Sequence, residues 1–155
     1  MEVNVWHVRQ MRPEDIGQVT ALENQIFSEP WSAQSFLDSL QNKENCYLVA
    51  EQGDKVIAYC GFWNVAKEGQ ICNVAVQEKA RGQGVAFDML KQLIKLGDDM
   101  GLEAYTLEVR VSNEPAIRLY HHLGFEDAGI RKGFYSKPLE DALIMWKYNN
   151  RTERI

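Results

Sequence analysis

Excess positive charge, paired cysteines and long apolar runs are all missing from this chain. Its 155 residues carry 17 Lys and Arg against 22 Asp and Glu, a net charge of −5. That balance argues against a non-specific nucleic-acid binder, which needs a basic surface to neutralise phosphates. It is compatible with a basic partner such as a cationic peptide tail. The cysteines, Cys46, Cys60 and Cys72, are odd in number and sit singly in strand-like runs. They read as buried, reduced thiols, and no pair has the spacing of metal ligands. His121 and His122 are adjacent on a predicted helix, so their rings diverge and no shared metal is expected. The apolar runs are far too short to span a bilayer, and Met1–Asn4 lacks the basic start of a signal peptide. The expectation is therefore a cytoplasmic protein with neither membrane nor nucleic acid as its partner.

What is present is an ordinary globular composition, 45% hydrophobic and 25% charged. The chain is long enough for one domain with a sizeable core, expected over residues 1–150 with a frayed tail at 151–155. Val3–Arg9 alternates as a first strand. Pro13-Glu14-Asp15 has the acids and proline of a helix start, and Ile16, Val19, Leu22, Glu23 and Ile26 follow at helical spacing. Phe27–Ser32 breaks the pattern, and Ser32 is suited to cap a short helix carrying Phe36, Leu37 and Leu40. Strands are predicted over Cys46–Glu51, Lys55–Val65 and Gln70–Val76, with turns at Gly53-Asp54 and Lys67-Glu68-Gly69. A long helix runs to about Met100 and stops at Gly101. Ala104–Val111 is a strand, and Asn113-Glu114-Pro115 opens a helix that Gly124 ends. Two strands, Gly129–Tyr135 and Asp141–Tyr148, close the chain. The order β-α-α-β-β-β-α-β-α-β-β implies an α/β (α+β) fold: a mixed, mostly antiparallel sheet with helices on both faces.

The most informative stretch is Arg81-Gly82-Gln83-Gly84-Val85-Ala86, which follows the apolar strand Asn73-Val74-Ala75-Val76 and opens an amphipathic helix. Glycines permit unusual backbone and close approach to a ligand. Loop and first-turn amides lack intrahelical acceptors, and together with the helix dipole they form an anion site. A Walker loop is excluded because Val85-Ala86, not Lys-Ser or Lys-Thr, follows Gly84. The dinucleotide fingerprint is excluded because Phe87 holds its third glycine position. Arg-x-x-Gly-x-Ala after such a strand is similar to the acetyl-CoA pyrophosphate loop of the GNAT acyltransferase superfamily.

A second signal lies at Leu107-Glu108-Val109-Arg110-Val111-Ser112-Asn113. Glu108 shares strand parity with Arg110, so the two read either as a solvated ion pair or as a general base, its basicity raised by partial burial, beside a cation. Tyr120 falls on the face of Ala116, Ile117 and Leu123. It reads either as a core tyrosine with a satisfied hydroxyl or as a proton donor. Asn113 is an N-cap candidate that also stands where a ligand could touch it.

These segments, with Phe27–Ser32, Ala116–Tyr120, Leu123-Gly124-Phe125 and Glu140–Met145, resemble the RimI-type bacterial ribosomal-protein-alanine N-acetyltransferases over almost the whole chain. The sequence departs from that family at Glu78, where a proline is common, at Ala86 in place of the last loop glycine, and over Gly133–Pro138. The resemblance implies acetyl-CoA as co-substrate, no metal, and a protein or peptide N-terminus as acceptor. It places Val74, Ala75 and Val76 along the pantetheine and Arg81, Gly82, Gln83, Gly84, Val85, Ala86 and Phe87 around the pyrophosphate. Asn113 would contact the cofactor, Glu108 would be the base and Tyr120 the acid. Acetylation of a lysine or small amine by the same fold, and a silent acyl-CoA-binding module, stay open as alternatives. No cysteine has a matched histidine, which disfavours a covalent acyl-enzyme route.

Overall fold

A computed structural model describes residues 5–149. Seven strands and four α-helices alternate in the expected order: β1 His7–Gln10, α1 Ile16–Ile26, α2 Ala33–Gln41, β2 Cys46–Gln52, β3 Lys55–Val65, β4 Glu68–Val76, α3 Val85–Asp99, β5 Ala104–Arg110, α4 Glu114–His122, β6 Glu126–Tyr135 and β7 Glu140–Tyr148. The strands form one sheet in the order β1-β2-β3-β4-β5-β7-β6. Every neighbouring pair is antiparallel except β4 and β5. The mixed, mostly antiparallel sheet expected from the chain order is therefore the one observed.

Local chemistry accounts for most element ends. Pro13–Asp15 forms a single 3-10 turn before α1, because proline supplies a helical φ without needing an amide partner. The Ser32 hydroxyl accepts the Ser35 amide at 3.1 Å and caps α2. Gly101 adopts φ +88 at the end of α3. Gly124 adopts φ +98 after α4, where the Phe125 amide returns to the Tyr120 carbonyl at 3.0 Å.

Some predicted boundaries shift. The first strand begins at His7, and Val3 and Asn4 lie outside the described residues, as does the tail from 150. The turn into β4 falls on Ala66-Lys67, not on Lys67–Gly69, since both residues take positive φ (53° and 67°). Two such residues match the right-handed strand twist, so pairing extends through Val65 and Glu68. β6 starts at Glu126, because it pairs with Trp146 of β7 directly after the α4 cap and absorbs a register shift between Asp127 and Gly129.

The sheet separates two apolar clusters. One holds Met89, Leu90 and Leu93 of α3 with Tyr105, Leu107 and Val109 of β5 and Tyr120 of α4. The other holds Val19 and Leu22 of α1 and Phe36 of α2 with Tyr47, Tyr59 and Ala75. Helices thus cover both faces, and β2 alternates its side chains between the clusters, Cys46, Leu48 and Ala50 to one and Tyr47 and Val49 to the other.

Candidate active site

Parallel pairing of β4 with β5 extends only over Glu68–Gln70 and Ala104–Thr106. Past that point the strands part, and a cleft of about 680 Å³ opens between them. It brings together Val74, Glu108, Asn113 and Tyr120 of the residues expected from sequence. A bulge shapes its β4 wall: Gly61 pairs with Asn73 but Phe62 pairs with Ile71, leaving Cys72 extra. The extra residue reverses strand parity, so Ile71 packs in the α3 cluster whereas Ala75 packs in the α1–α2 cluster.

Glu108 and Tyr120 approach the cleft from opposite faces. Leu107 and Val109 lie in the α3–α4 cluster, so Glu108 between them turns to the α1–α2 face. Its side chain is 31% exposed and pairs with Arg131 of β6 at 3.4 Å. The Glu108–Arg110 pair allowed by strand parity does not form. Arg110 binds Glu140 instead, at 3.1 Å, because Glu140 enters β7 beside the end of β5. Tyr120 is 7% exposed, packed edge-on against Phe125 within the α3–α4 cluster, and lines the cleft. Among the described residues its hydroxyl has no hydrogen-bond partner in the protein. Burial, reinforced by the nearby Tyr135 and Cys60, pushes this phenol well above its ordinary value and holds its proton in place.

Asn113 plays the structural role expected of it, accepting the Ala116 amide at 3.3 Å as the α4 N-cap, and also borders the cleft. Cys72 departs from expectation. Cys46 and Cys60 are buried, but the bulge brings Cys72 to the cleft surface. Desolvation still holds its thiol up at about 11, so it stays protonated.

The glycine loop lies apart from this cleft, at the end of β4. Gly82 and Gly84 take φ +78 and +91. A Cβ at either would meet nothing within 4 Å, so backbone conformation, not crowding within the chain, requires glycine here. The Asp88 amide is the first to close an α-turn, onto Gly84 at 3.0 Å. The amides of Val85, Ala86 and Phe87 therefore have no intrahelical acceptor. The Arg81 guanidinium folds back onto the Val76 carbonyl at 2.9 Å and fixes the loop to β4. Val85 is buried, whereas Gln83 and Phe87 are exposed on the loop's outer surface. Ala75 sends its side chain into the α1–α2 cluster. This geometry fits an anion such as a pyrophosphate.

Sequence reading missed three cleft residues. Glu23 is 3% exposed and accepts the Trp31 amide at 2.9 Å and the Tyr59 hydroxyl, tying α1 to β3 and to the break before α2. A carboxylate at a core position of an amphipathic helix was the available signal. Tyr135 lies under the Arg110 guanidinium, 4.4 Å from ring centroid to carbon. Burial and then the Glu108 charge push its phenol up to about 12. Asn73 is a polar residue inside an apolar strand. Over the cleft mouth, the Ser136 hydroxyl donates to Glu29, joining the β6–β7 connection to the α1–α2 break. Arg110 holds that connection from below through the Pro138 carbonyl at 2.9 Å.

The acetyltransferase (GNAT) family model matches residues 16–125. The chain belongs to the GNAT acetyltransferase family. Within it, a Bacillus subtilis (strain 168) relative, named provisionally as a [ribosomal protein bS18]-alanine N-acetyltransferase, is 41% identical over 140 residues, covering 90% of this chain and 93% of the relative. The Escherichia coli (strain K12) [ribosomal protein bS18]-alanine N-acetyltransferase is 31% identical over 140 residues, with 89% and 94% covered. The crystal structure of the ribosomal-protein-S18-alanine N-acetyltransferase from Escherichia coli superposes with a TM-score of 0.85 at 29% identity, covering 93% of this chain and 94% of that one. This GNAT protein thus shares both fold and sequence with proteins named as ribosomal-protein-alanine N-acetyltransferases. No group of three or more potential metal ligands occurs among the described residues, and no helix there is long and apolar enough to cross a membrane.

Proposed function

We propose that this protein transfers the acetyl group of acetyl-CoA to the α-amine of protein N-termini, alanine-first ribosomal proteins foremost, in a single direct step. The observation that carries the reading is the placement of Glu108 and Tyr120 on opposite faces of one gap. The names of the relatives support the substrate class.

In this reading acetyl-CoA lies with its pyrophosphate on the amides of Gly82–Phe87, its pantetheine along Val74–Val76, and Asn113 beside it. The acceptor peptide enters from the α1–α2 face. An α-amine titrates near 8, so a carboxylate removes its proton with modest cost near neutral pH. Glu108, directly or through water, takes that proton. The amine nitrogen bonds to the thioester carbonyl carbon, whose oxygen gains charge next to backbone N–H groups of β4. The carbon–sulfur bond breaks toward the other face, Tyr120 gives its proton to the departing thiolate, and the second proton that the nitrogen loses as the amide forms returns through water to restore the phenol. Holding both substrates in one cleft supplies the orientation that an acyl-enzyme would otherwise provide.

A lysine, titrating near 10.4, costs about 2.4 units or roughly 3 kcal/mol more to deprotonate. Two peptides therefore test the reading with purified protein and acetyl-CoA, monitored by mass. One has a free N-terminal alanine and no lysine; the other is N-terminally blocked and contains lysine. The first is expected to react faster. Faster acetylation of the blocked peptide would establish a lysine acetyltransferase, and no acetylation of either, with acetyl-CoA bound, would leave a small-amine acetyltransferase or a silent binding module.

A further inference from the structure

Three strands cooperate to aim one side chain into the cleft. Tyr47 of β2 pairs with Gly61 of β3, and Gly61 pairs with Asn73 of β4. Gly61 has no side chain to separate its neighbours, and a Cβ there would lie 2.2 Å from the Tyr47 ring. The ring therefore lies across Gly61, and its hydroxyl reaches Asn73 Oδ1 at 3.1 Å. Trp63 Nε1 donates to the same hydroxyl at 3.1 Å.

Donor inventory fixes the direction of this chain. An indole N–H can only donate, so the Tyr47 oxygen accepts from it, and the single phenolic proton goes onward. Beside the Ser39 hydroxyl, which like Trp63 stands on the donor side of Tyr47, its candidate acceptors are Asn73 Oδ1 and the Cys72 sulfur at 3.5 Å. An amide oxygen is the far better acceptor. Asn73 Oδ1 is thus committed to Tyr47, and Nδ2 points away from it. Asn73 is 4% exposed, lines the cleft, and its Nδ2 has no partner among the described residues. Through Tyr47 it sits on the α1–α2 face, the face to which Glu108 turns.

We propose that Asn73 Nδ2 donates to the carbonyl oxygen of the acceptor's first residue and so selects amines that carry a carbonyl two bonds from nitrogen. The inference rests on the N-terminal acetyltransferase reading above and names how the cleft recognises that substrate. Every peptide N-terminus presents N–Cα–C=O, whatever its side chain. A lysine side chain or polyamine has only methylenes at that distance, and would leave the buried Asn73 donor unpaired. Asn73 is a positioning residue: it holds the amine in line with the thioester while Glu108 takes the proton.

The test compares an alanine-first peptide with its (E)-alkene isostere, in which a carbon–carbon double bond replaces the first peptide bond. With rates referred to the neutral fraction of each amine, the wild type is expected to favour the amide in kcat/KM by roughly 10-fold, the cost of one unpaired buried donor. In Asn73→Ala and in the isosteric Asn73→Asp, which cannot donate when ionised, the preference is expected to fall below about 2-fold, with the KM for acetyl-CoA unchanged. Differences in amine basicity between the two substrates are common to all three proteins and cancel in the comparison. Retention of the 10-fold preference by both variants overturns the inference. So does an equal loss on both substrates, which would assign the amide to the acetyl group. A wild type that acetylates the two substrates equally overturns it as well, while leaving the N-terminal reading intact. A wild type that acetylates neither removes the reading and the inference together.

Discussion

Glu108 takes its cation from Arg131, 3.4 Å away on β6, and not from Arg110 two residues along its own strand. Arg131 reaches it across β7, while Arg110 is spent on Glu140 and the Pro138 carbonyl. The carboxylate is consequently held at the cleft without being sequestered by its nearest neighbour in sequence.

Glu108→Gln is expected to reduce N-terminal acetylation by about 10²-fold or more near neutral pH, because the amide cannot accept the proton. Activity should recover in part as pH rises past the amine's own titration near 8. A pH–rate profile parallel to the wild type would remove the base assignment. Arg131→Ala, at a half-exposed pair, should change folding stability by no more than about 1 kcal/mol.

Tyr120→Phe retains the ring packed on Phe125 and removes the proton. Turnover is expected to fall roughly 10²-fold with acetyl-CoA affinity and melting temperature nearly unchanged. A lower melting temperature with normal turnover would return Tyr120 to the core.

Gly84→Val places a β-branched residue at φ +91, a conformation such side chains scarcely adopt. The loop must then reshape, and the amides of Val85–Phe87 lose their common aim. Calorimetric titration with CoA should show affinity reduced by about 10-fold or more, the loss of one or two charge-assisted hydrogen bonds. Unchanged affinity in the folded variant would place the pyrophosphate elsewhere.

Stability should depend on pH through Asp15. Hydrogen bonds from Arg9, at 2.8 and 2.9 Å, and from the Arg12 amide at 2.8 Å hold its carboxyl below the ordinary value of 3.8. A folded-state value below the unfolded one stabilises the protein above pH ~4, and that stabilisation is lost as pH falls further. Asp15→Asn is expected to cost about 3 kcal/mol at pH 7, because it leaves the largely buried Arg9 with the Glu51 carboxylate and the Gln10 carbonyl but without its bidentate acid. Its urea midpoint should then vary less between pH 6 and pH 3 than that of the wild type.

Signals local in sequence were legible before the fold was known. Ser32 as a cap, Gly101 and Gly124 as stops, the glycine loop before α3 and the inward aspect of Tyr120 each depend on a few adjacent residues. They follow from hydrogen-bond donors at helix ends, positive φ and helical periodicity, which act over one or two turns. The hairpin between β2 and β3 followed from the turn chemistry of Gly53-Asp54 in the same way.

The cleft itself belongs to the tertiary structure. A bulge at Cys72 reverses the parity of β4, and no pattern within Ile71–Val74 announces it. The pairing of Glu108 with Arg131, the hold of Arg110 on the β6–β7 connection, and the reach of Tyr47 over Gly61 to Asn73 all join residues from different strands. Each is decided by inter-strand register, where a shift of one position sends every side chain to the opposite face. The sequence alone determined which chemical groups and local turns this chain possesses. Only the register of strands far apart in the chain decided which of those groups meet, because side-chain contact across a sheet depends on alignment over several strands at once.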